Sequence, residues 1–436
     1  MTANLESCSA RRNFEPSLRR PNLHGDNVTN TTSVTADHSA GPLTGVRVID
    51  CSTVLAGPLC AQVLGDYGAE VIKIEHPQRP DAFRTHGPQK GEIGLWWKIV
   101  SRNKRCITLD LSQPRGAELF CDLAVTADVI VENFRPGTLD RWGIGYETLR
   151  GINPKIVLAS ITGFGQTGPY RSRPGFGTLA EAMSGFAAIT GLADGPPTLP
   201  SMGLADSICG ITGVGAIMMA LWNRDRVGGT ETGQHLDLSL LAPMLTAVGP
   251  GPTAYDQLAT LQQRNGNRST SNAPRNTYLT SDQRWLAVST SSTSIARRVM
   301  HLVGRDDLAE QSWFESAAGR AAHVDELDDA VASWMSERTA QEVTLAFEQA
   351  DAAVAPVYDA ADVVADPHIC ETQMVTSVHD EDLGAMRMVG LLFGMSHTPG
   401  SIRHTGRDFG VDTDDVLDEL GVSAGEREQL RVSKVI

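Results

Sequence analysis

The chain has 436 residues, past the length at which one hydrophobic core keeps growing, so two domains are expected. Hydrophobic residues at 41% and charged residues at 20% are globular values, and 42 Gly with 22 Pro fall short of a fibrous or disordered composition. Thirty-seven basic against 52 acidic side chains give a net charge of −15. That balance argues against a nucleic-acid partner but leaves room for a small phosphorylated ligand held by a few placed cations.

Seven cysteines, with no C-x-x-C pair, and 11 scattered histidines without H-x-x-x-H spacing imply neither a disulfide framework nor a metal site. A reduced, cytoplasmic compartment is expected. The apolar run Ile208 to Trp222 is short for a bilayer and interrupted by glycines, so it reads as a packed core helix and no membrane association is expected. Residues 1–40 have no apolar signal region and read as a disordered N-terminal tail.

In chain order, Val46–Asp50 reads as a buried strand, Pro58 opens a helix that Gly68 ends, and Glu70–Glu75 is the next strand. This is a β-α-β unit and the start of a parallel sheet. The alternation continues with a strand at Cys106–Leu111, a helix at Arg115–Thr126, and strands at Val129–Glu132 and Ile156–Ile161. Helical spacing returns at Thr178–Phe186 and Ser207–Trp222, followed by a strand at His235–Leu240. The expected fold is α/β, a doubly wound, mostly parallel sheet of Rossmann-like type with a smaller α+β domain.

The large domain is expected over 41–250 and completed by 385–436, with a polar linker at 251–276. A small domain over 277–370 opens on the hairpin Thr277–Ser289, and a return linker covers 371–384.

Four features could carry chemistry. Gly163–Gly168 matches G-x-G-x-x-G after a strand, but Pro169 and Pro174 forbid the helix a dinucleotide needs, so a glycine-built turn is the better reading. Asn133-Phe134-Arg135-Pro136-Gly137 follows a strand at the ligand-binding edge of the sheet. With Arg141 it offers an amide, a stacking face and two cationic forks, or else an ordinary turn. Lys98, Arg102, Lys104 and Arg105 form a cationic cluster that is either a solvated face or a cap for phosphates. Asp206 should sit at or beside a helix N-cap. It is then either purely structural or a carboxylate whose pKa the helix lowers, keeping it ionised for nucleophilic attack.

Leu43-x-Gly45-Val46-Arg47-Val48-Ile49-Asp50, Ala56-Gly57-Pro58 and Leu64 to Glu75 together resemble the class III (family III) CoA-transferases. Asn103-Lys104-Arg105, Glu132 to Gly137, Gly163-Phe164-Gly165, Ala205-Asp206 and Gly233-Gln234 carry the same resemblance, as do Ala355-Pro356-Val357 and Asp366-Pro367-His368. That family includes formyl-CoA:oxalate and carnitine CoA-transferases and the α-methylacyl-CoA racemases. The resemblance implies a catalytic aspartate in Leu204-Ala205-Asp206. It implies coenzyme A contacts from the backbone of Val54 and Ala56, and from His76, Leu109, Asn133, Phe134, Arg135 and Arg141. It further implies a ring-like subunit in an interlocked homodimer, with the crossings near 250–276 and 370–395.

Racemases of the family place a His-Asp pair where this chain has Phe176-Gly177, so one base of a two-base racemisation is missing. Leu55 stands where the oxalate enzymes have glutamine, so oxalate is not the expected acceptor. The expected function is transfer of CoA from an acyl-CoA donor to a carboxylic acid through an aspartyl-CoA thioester on Asp206, with acyl-CoA as substrate and no tightly bound cofactor. Backbone N–H groups of a glycine-built loop would hold the developing oxyanion. The alternatives are a racemase or epimerase, a non-catalytic CoA-binding relative, and a nicotinamide-dependent dehydrogenase.

Overall fold

A computed structural model describes residues 41–436, and the tail expected over 1–40 lies outside the described residues. Six short segments form parallel strands: β1 Arg47–Asp50, β2 Glu70–Glu75, β3 Lys104–Thr108, β4 Val129–Glu132, β5 Val157–Thr162 and β6 His235–Ser239. Their spatial order is β3-β2-β1-β4-β5-β6, and every pairing is parallel. Strand order therefore reverses between β1 and β4, and a doubly wound sheet binds ligands in the crevice beyond the carboxyl ends of such a pair.

Side-chain alternation explains why helices cover both faces. Ile49, Ile72, Ile107, Ile130 and Leu158 pack one way, against Leu119, Phe120 and Leu123 of helix α1 Pro114–Val125. Val48, Val71, Val129, Val131 and Val157 pack the other way, against the helices Ala56–Asp66 and Leu204–Asp225. A strand buried on both faces reads as a near-continuous apolar run, as β1, β4 and β5 do, whereas β3 opens on Lys104-Arg105 and the edge strand β6 is only partly covered.

A second, antiparallel sheet is built from β7 Arg275–Leu279, β8 Trp285–Ser289 and β9 Val354–Pro356, in the order β9-β8-β7. It has its own core, in which Leu286 and Val288 meet Val299, Phe314, Val331 and Phe347. The chain then returns through a ribbon, β10 Val375–Asp380 with β11 Gly384–Val389. It finishes against the β3 edge, where Asp412 accepts the Cys106 N–H (2.7 Å) and Thr413 Oγ1 accepts that of Thr108 (3.0 Å).

Several expectations are corrected here. The linker expected at 251–276 opens with a helix, Gly251–Leu258, and the return linker expected at 371–384 contains β10. The strand expected over 106–111 runs from Lys104 to Thr108, because Asp110 folds back to bind the N–H of Ser112 (3.0 Å) and turns the chain. The helix expected over 207–222 spans Leu204–Asp225. Among the described residues it is the one helix long and apolar enough, by length and composition, to cross a bilayer. Its inner face, including Ala205, Cys209, Ile217, Ala220 and Leu221, packs in the α/β layer instead.

Candidate active site

The loops after β1 and β4 face each other across the reversal and are tied by one side chain. Asn133 Oδ1 accepts the Thr53 N–H (2.8 Å), and Asn133 Nδ2 donates to the Thr53 carbonyl (2.7 Å). The amide read from sequence as a ligand-recognition group is thus engaged in holding the crevice together. Next to it, Val54 has a φ of 69°, a left-handed conformation that is a true outlier for a β-branched residue. Its N–H points at both carboxylate oxygens of Asp81 (3.2 and 3.3 Å), and Lys73 holds Asp81 in turn (3.1 Å). Such strain costs about 1–3 kcal/mol, persists only where the surroundings over-determine it, and clusters at functional sites.

Beneath this loop lies a fully buried ionic cluster. Lys104 Nζ binds Asp50 (2.8 Å) and the Pro58 carbonyl (2.7 Å), and Lys73 Nζ lies 3.9 Å from the same Asp50 oxygen. Burial pushes the Asp50 carboxyl upward, but Lys104 and Lys73 outweigh it and leave it below the usual range. The cationic cluster read from sequence as a possible phosphate cap is fully committed: Lys98 to Asp380 and Asp382, Arg102 to Asp66, Lys104 to Asp50, and Arg105 to Glu70 and Glu419. It holds the fold together and is not a ligand cap.

Two adjoining clefts open at the crevice. The larger, about 400 Å³, is lined by His76, Arg79, Leu109, Phe134, Arg135 and Trp142, among others. Phe134 packs edge-on against Trp142 (5.1 Å between centroids), and His76 Nε2 lies 3.6 Å from Asp110. The smaller, about 170 Å³, is lined by Val54, Ala56, Asn133, Phe134 and Arg135 together with Arg171, Arg173, Phe176 and Asp206. The structure therefore brings eight of the nine residues singled out in the sequence to these two clefts. Arg141 lines neither; its guanidinium donates to Thr138 Oγ1 (2.8 Å).

Asp206 is the third residue of helix α2, Leu204–Asp225, whose N-cap is Gly203. The capping role expected of it falls to buried Glu181, which accepts the Ala205 N–H (3.1 Å) from the helix Gly177–Met183. The expected lowering of its pKa is also overturned. Burial first, and the nearby Glu181 charge second, push the Asp206 carboxyl up to about 6, while its own N–H and that of Gly177 pull the other way. A Cβ added at Gly177 would stand 2.1 Å from Asp206 Oδ2, so glycine is what lets this backbone approach the carboxylate.

The glycine-rich segment after β5 is a turn, as read. The next helix begins only at Gly177, and two of its amides are engaged, Gly165 with Thr162 Oγ1 (3.0 Å) and Gln166 with Asp237 (2.8 Å). Those two N–H groups are engaged within the fold and are not available to an oxyanion. Sequence reasoning missed Arg79, Arg171 and Arg173 as wall residues. Among the described residues, these three and Arg135 are the arginines whose side chains make no hydrogen bond or ion pair, and all four face the two clefts. The signal for Arg171 and Arg173 was their place in the loop after a parallel strand, the same cue that singled out Asn133.

A parallel sheet with a strained crevice, a half-buried carboxylate and unpaired arginines defines a ligand-binding α/β enzyme. The CoA-transferase family III model matches residues 43–413, and the chain belongs to this family. It is 36% identical over 398 residues to the succinyl-CoA--D-citramalate CoA-transferase of Chloroflexus aurantiacus, covering 91% of this chain and 98% of the relative. It is 38% identical over 400 residues to the succinyl-CoA--L-malate CoA-transferase beta subunit of the same organism, covering 91% and 98%. Among solved structures, a CAIB/BAIF family protein from Brucella suis superposes with a TM-score of 0.76 at 29% identity, covering 87% of this chain and all of that one. The protein is a CoA-transferase.

Proposed function

We propose that the enzyme moves CoA between carboxylic acids by a two-stage exchange on Asp206. The observation that carries this reading is the Asp206 carboxylate, part-buried and raised to about 6, in a small cleft that opens onto a larger one at the strand reversal. A carboxylate stripped of some of its water is a better nucleophile, and at pH 7 and above it is still mostly ionised.

Asp206 attacks the thioester carbonyl of the donor, forming a mixed anhydride and expelling the CoA thiolate. The thiolate attacks the aspartyl carbonyl, which releases the donor acid as its carboxylate and leaves an aspartyl-CoA thioester. The acceptor carboxylate attacks that thioester, giving a second mixed anhydride and the thiolate again. The thiolate then attacks the acceptor's carbonyl, producing the new acyl-CoA and freeing Asp206. One thioester replaces another, so the exchange is close to thermoneutral and needs no ATP.

In this reading CoA lies along the larger cleft. Arg79 and Arg135 meet its phosphates, Phe134 and Leu109 offer apolar surface, and the strained Val54–Ala56 turn contributes backbone groups. The relatives' named acids, citramalate and malate, carry two carboxylates, which supports a small dicarboxylic acid on at least one side of the exchange. Phe176-Gly177 supports transfer over racemisation, since neither residue can take an α-proton. The proposal includes a homodimer, supported by apolar residues left in the open, such as Met219 and Trp222 at 74% and 70% exposure. The test is Asp206→Ala: transfer between succinyl-CoA and a panel of acids should be abolished while CoA still binds, and a folded variant with near-normal activity rules the nucleophile out.

A further inference from the structure

Almost every described arginine in this acidic chain is matched to a carboxylate, a carbonyl or a side-chain oxygen. Arg171 and Arg173 are not, although they lie in a protein with a formal charge of −15. They line the smaller cleft together with Asp206, Thr53 and Asn133. Arg173 stacks on Tyr170 (3.6 Å from guanidinium carbon to ring centroid), which fixes its plane while leaving its N–H groups unoccupied. Pro174 lies just beyond, and Gly163 packs on Gly175 so closely that a Cβ on Gly163 would meet the Gly175 Cα at 2.6 Å. This close contact pins the base of the arginine loop against the end of β5.

From this geometry we infer that Arg171 and Arg173 form the subsite for the second carboxylate of a dicarboxylic substrate, and so set which acids the enzyme accepts. The inference rests on the transferase reading and deepens it. A planar guanidinium with free N–H groups is matched to a carboxylate, which it grips through two parallel hydrogen bonds. An acid bound with one carboxylate at Asp206 and the other at these arginines spans a cavity of about 170 Å³. That is below the 300–1,000 Å³ of ordinary ligand pockets and suits a chain of only a few carbons. A monocarboxylic acid of equal length would leave both cations unmatched, and a site built for a polar group rejects the analogue that lacks it far more strongly than it rejects one methylene more or less.

The experiment uses the full chain and two matched acid pairs, carbon-13-labelled succinate with butyrate and glutarate with pentanoate, as acceptors for CoA from unlabelled succinyl-CoA, so that label entering succinyl-CoA reads the succinate exchange. In a two-stage exchange the kcat/KM for the acceptor reports the second stage alone, so the donor's own free carboxylate does not enter. Wild type should prefer the dicarboxylate in each pair. The Arg171→Ala/Arg173→Ala variant should lose roughly 10- to 100-fold in kcat/KM for succinate and glutarate, chiefly through KM, with butyrate and pentanoate unchanged. Arg171→Lys and Arg173→Lys should recover part of the loss, since charge is kept and the fork is not. An equal fall for both members of a pair, or no fall, overturns the inference and leaves the transferase reading standing. Calorimetric binding of glutarate and pentanoate in the presence of CoA covers the converse. If wild type transfers CoA to none of these acids yet binds glutarate in preference, and the double Ala variant does not, the reading of these acids as acceptors fails and the subsite stands. Equal binding of both acids overturns the subsite.

Discussion

A Cβ on Gly177 would stand 2.1 Å from Oδ2 of Asp206, and the Gly177 N–H helps to hold that carboxylate in its ionised form. The position that racemases of the family fill with an aspartate is therefore closed to any side chain here unless Asp206 moves. Gly177→Ala should cost about 10²-fold or more in transfer, the scale of a displacement of roughly 1 Å at a reacting group, with CoA affinity kept. Grafting both residues, Phe176→His with Gly177→Asp, should yield no racemase. In deuterated water, wild type with a 2-methylacyl-CoA and no acceptor acid should leave the α-proton in place, and α-deuteration at a rate comparable to transfer would establish the racemase instead.

With Asp206 as the proposed nucleophile, its carboxyl sets the pH response. Its value of about 6 lies above the ordinary 3.8 because burial and Glu181 disfavour the charge. The nucleophile is the ionised form, so kcat/KM in the free enzyme should fall as pH drops through about 6 and level off above 7. A profile flat down to pH 4.5 would mean that Asp206 is not the titrating nucleophile.

Glu132 ends β4 directly before Asn133, accepts the Phe134 N–H (2.7 Å), and is pushed by burial up to about 7. Its folded value lies above the unfolded 4.5, so it weakens the native state progressively as pH rises from 4.5 to 7, and fully above that. Glu132→Gln keeps an acceptor for Phe134 and removes the titration. It should stabilise the protein by up to roughly 3 kcal/mol at pH 8, from a shift of about 2.5 units at 1.36 kcal/mol each, with no gain at pH 4.5. Thermal unfolding at the two pH values reads the difference directly.

The contrast between Arg102 and Arg135 separates framework from ligand cations. Arg102 is buried and bound to Asp66 at 2.6 Å, so Arg102→Ala leaves a buried carboxylate unmatched and should cost about 3–5 kcal/mol of stability. Arg135 has no partner to lose, so Arg135→Ala should leave unfolding unchanged and raise the KM for acyl-CoA. Loss of stability in Arg135→Ala, with KM unaltered, would reverse the assignment.

The same contrast shows what was legible in the sequence. β2 and β4 match their expected bounds residue for residue, because the adjacent apolar residues in EVIKIE and VIVE bury side chains on both faces of the sheet. Asp206 was singled out through its motif, but its environment was not legible there. Which carboxylate caps a helix depends on a contact across 24 residues, from Glu181 to Ala205, and local spacing does not record it. Four cations within eight residues, 98 to 105, suggested a phosphate cap, yet their partners lie as far off as Asp380 and Glu419. The free arginines were invisible for the same reason: being unmatched is a property of the folded surroundings, not of the loop that carries them.

The most direct measurement of the central claim is peptide mass spectrometry of the enzyme mixed with succinyl-CoA and no acceptor acid, quenched during turnover. The account predicts a CoA-mass adduct on the peptide carrying Asp206, lost on adding succinate or malate and absent from Asp206→Asn. An enzyme that transfers CoA at full rate with no adduct on that peptide, or with the adduct on another residue, would contradict it.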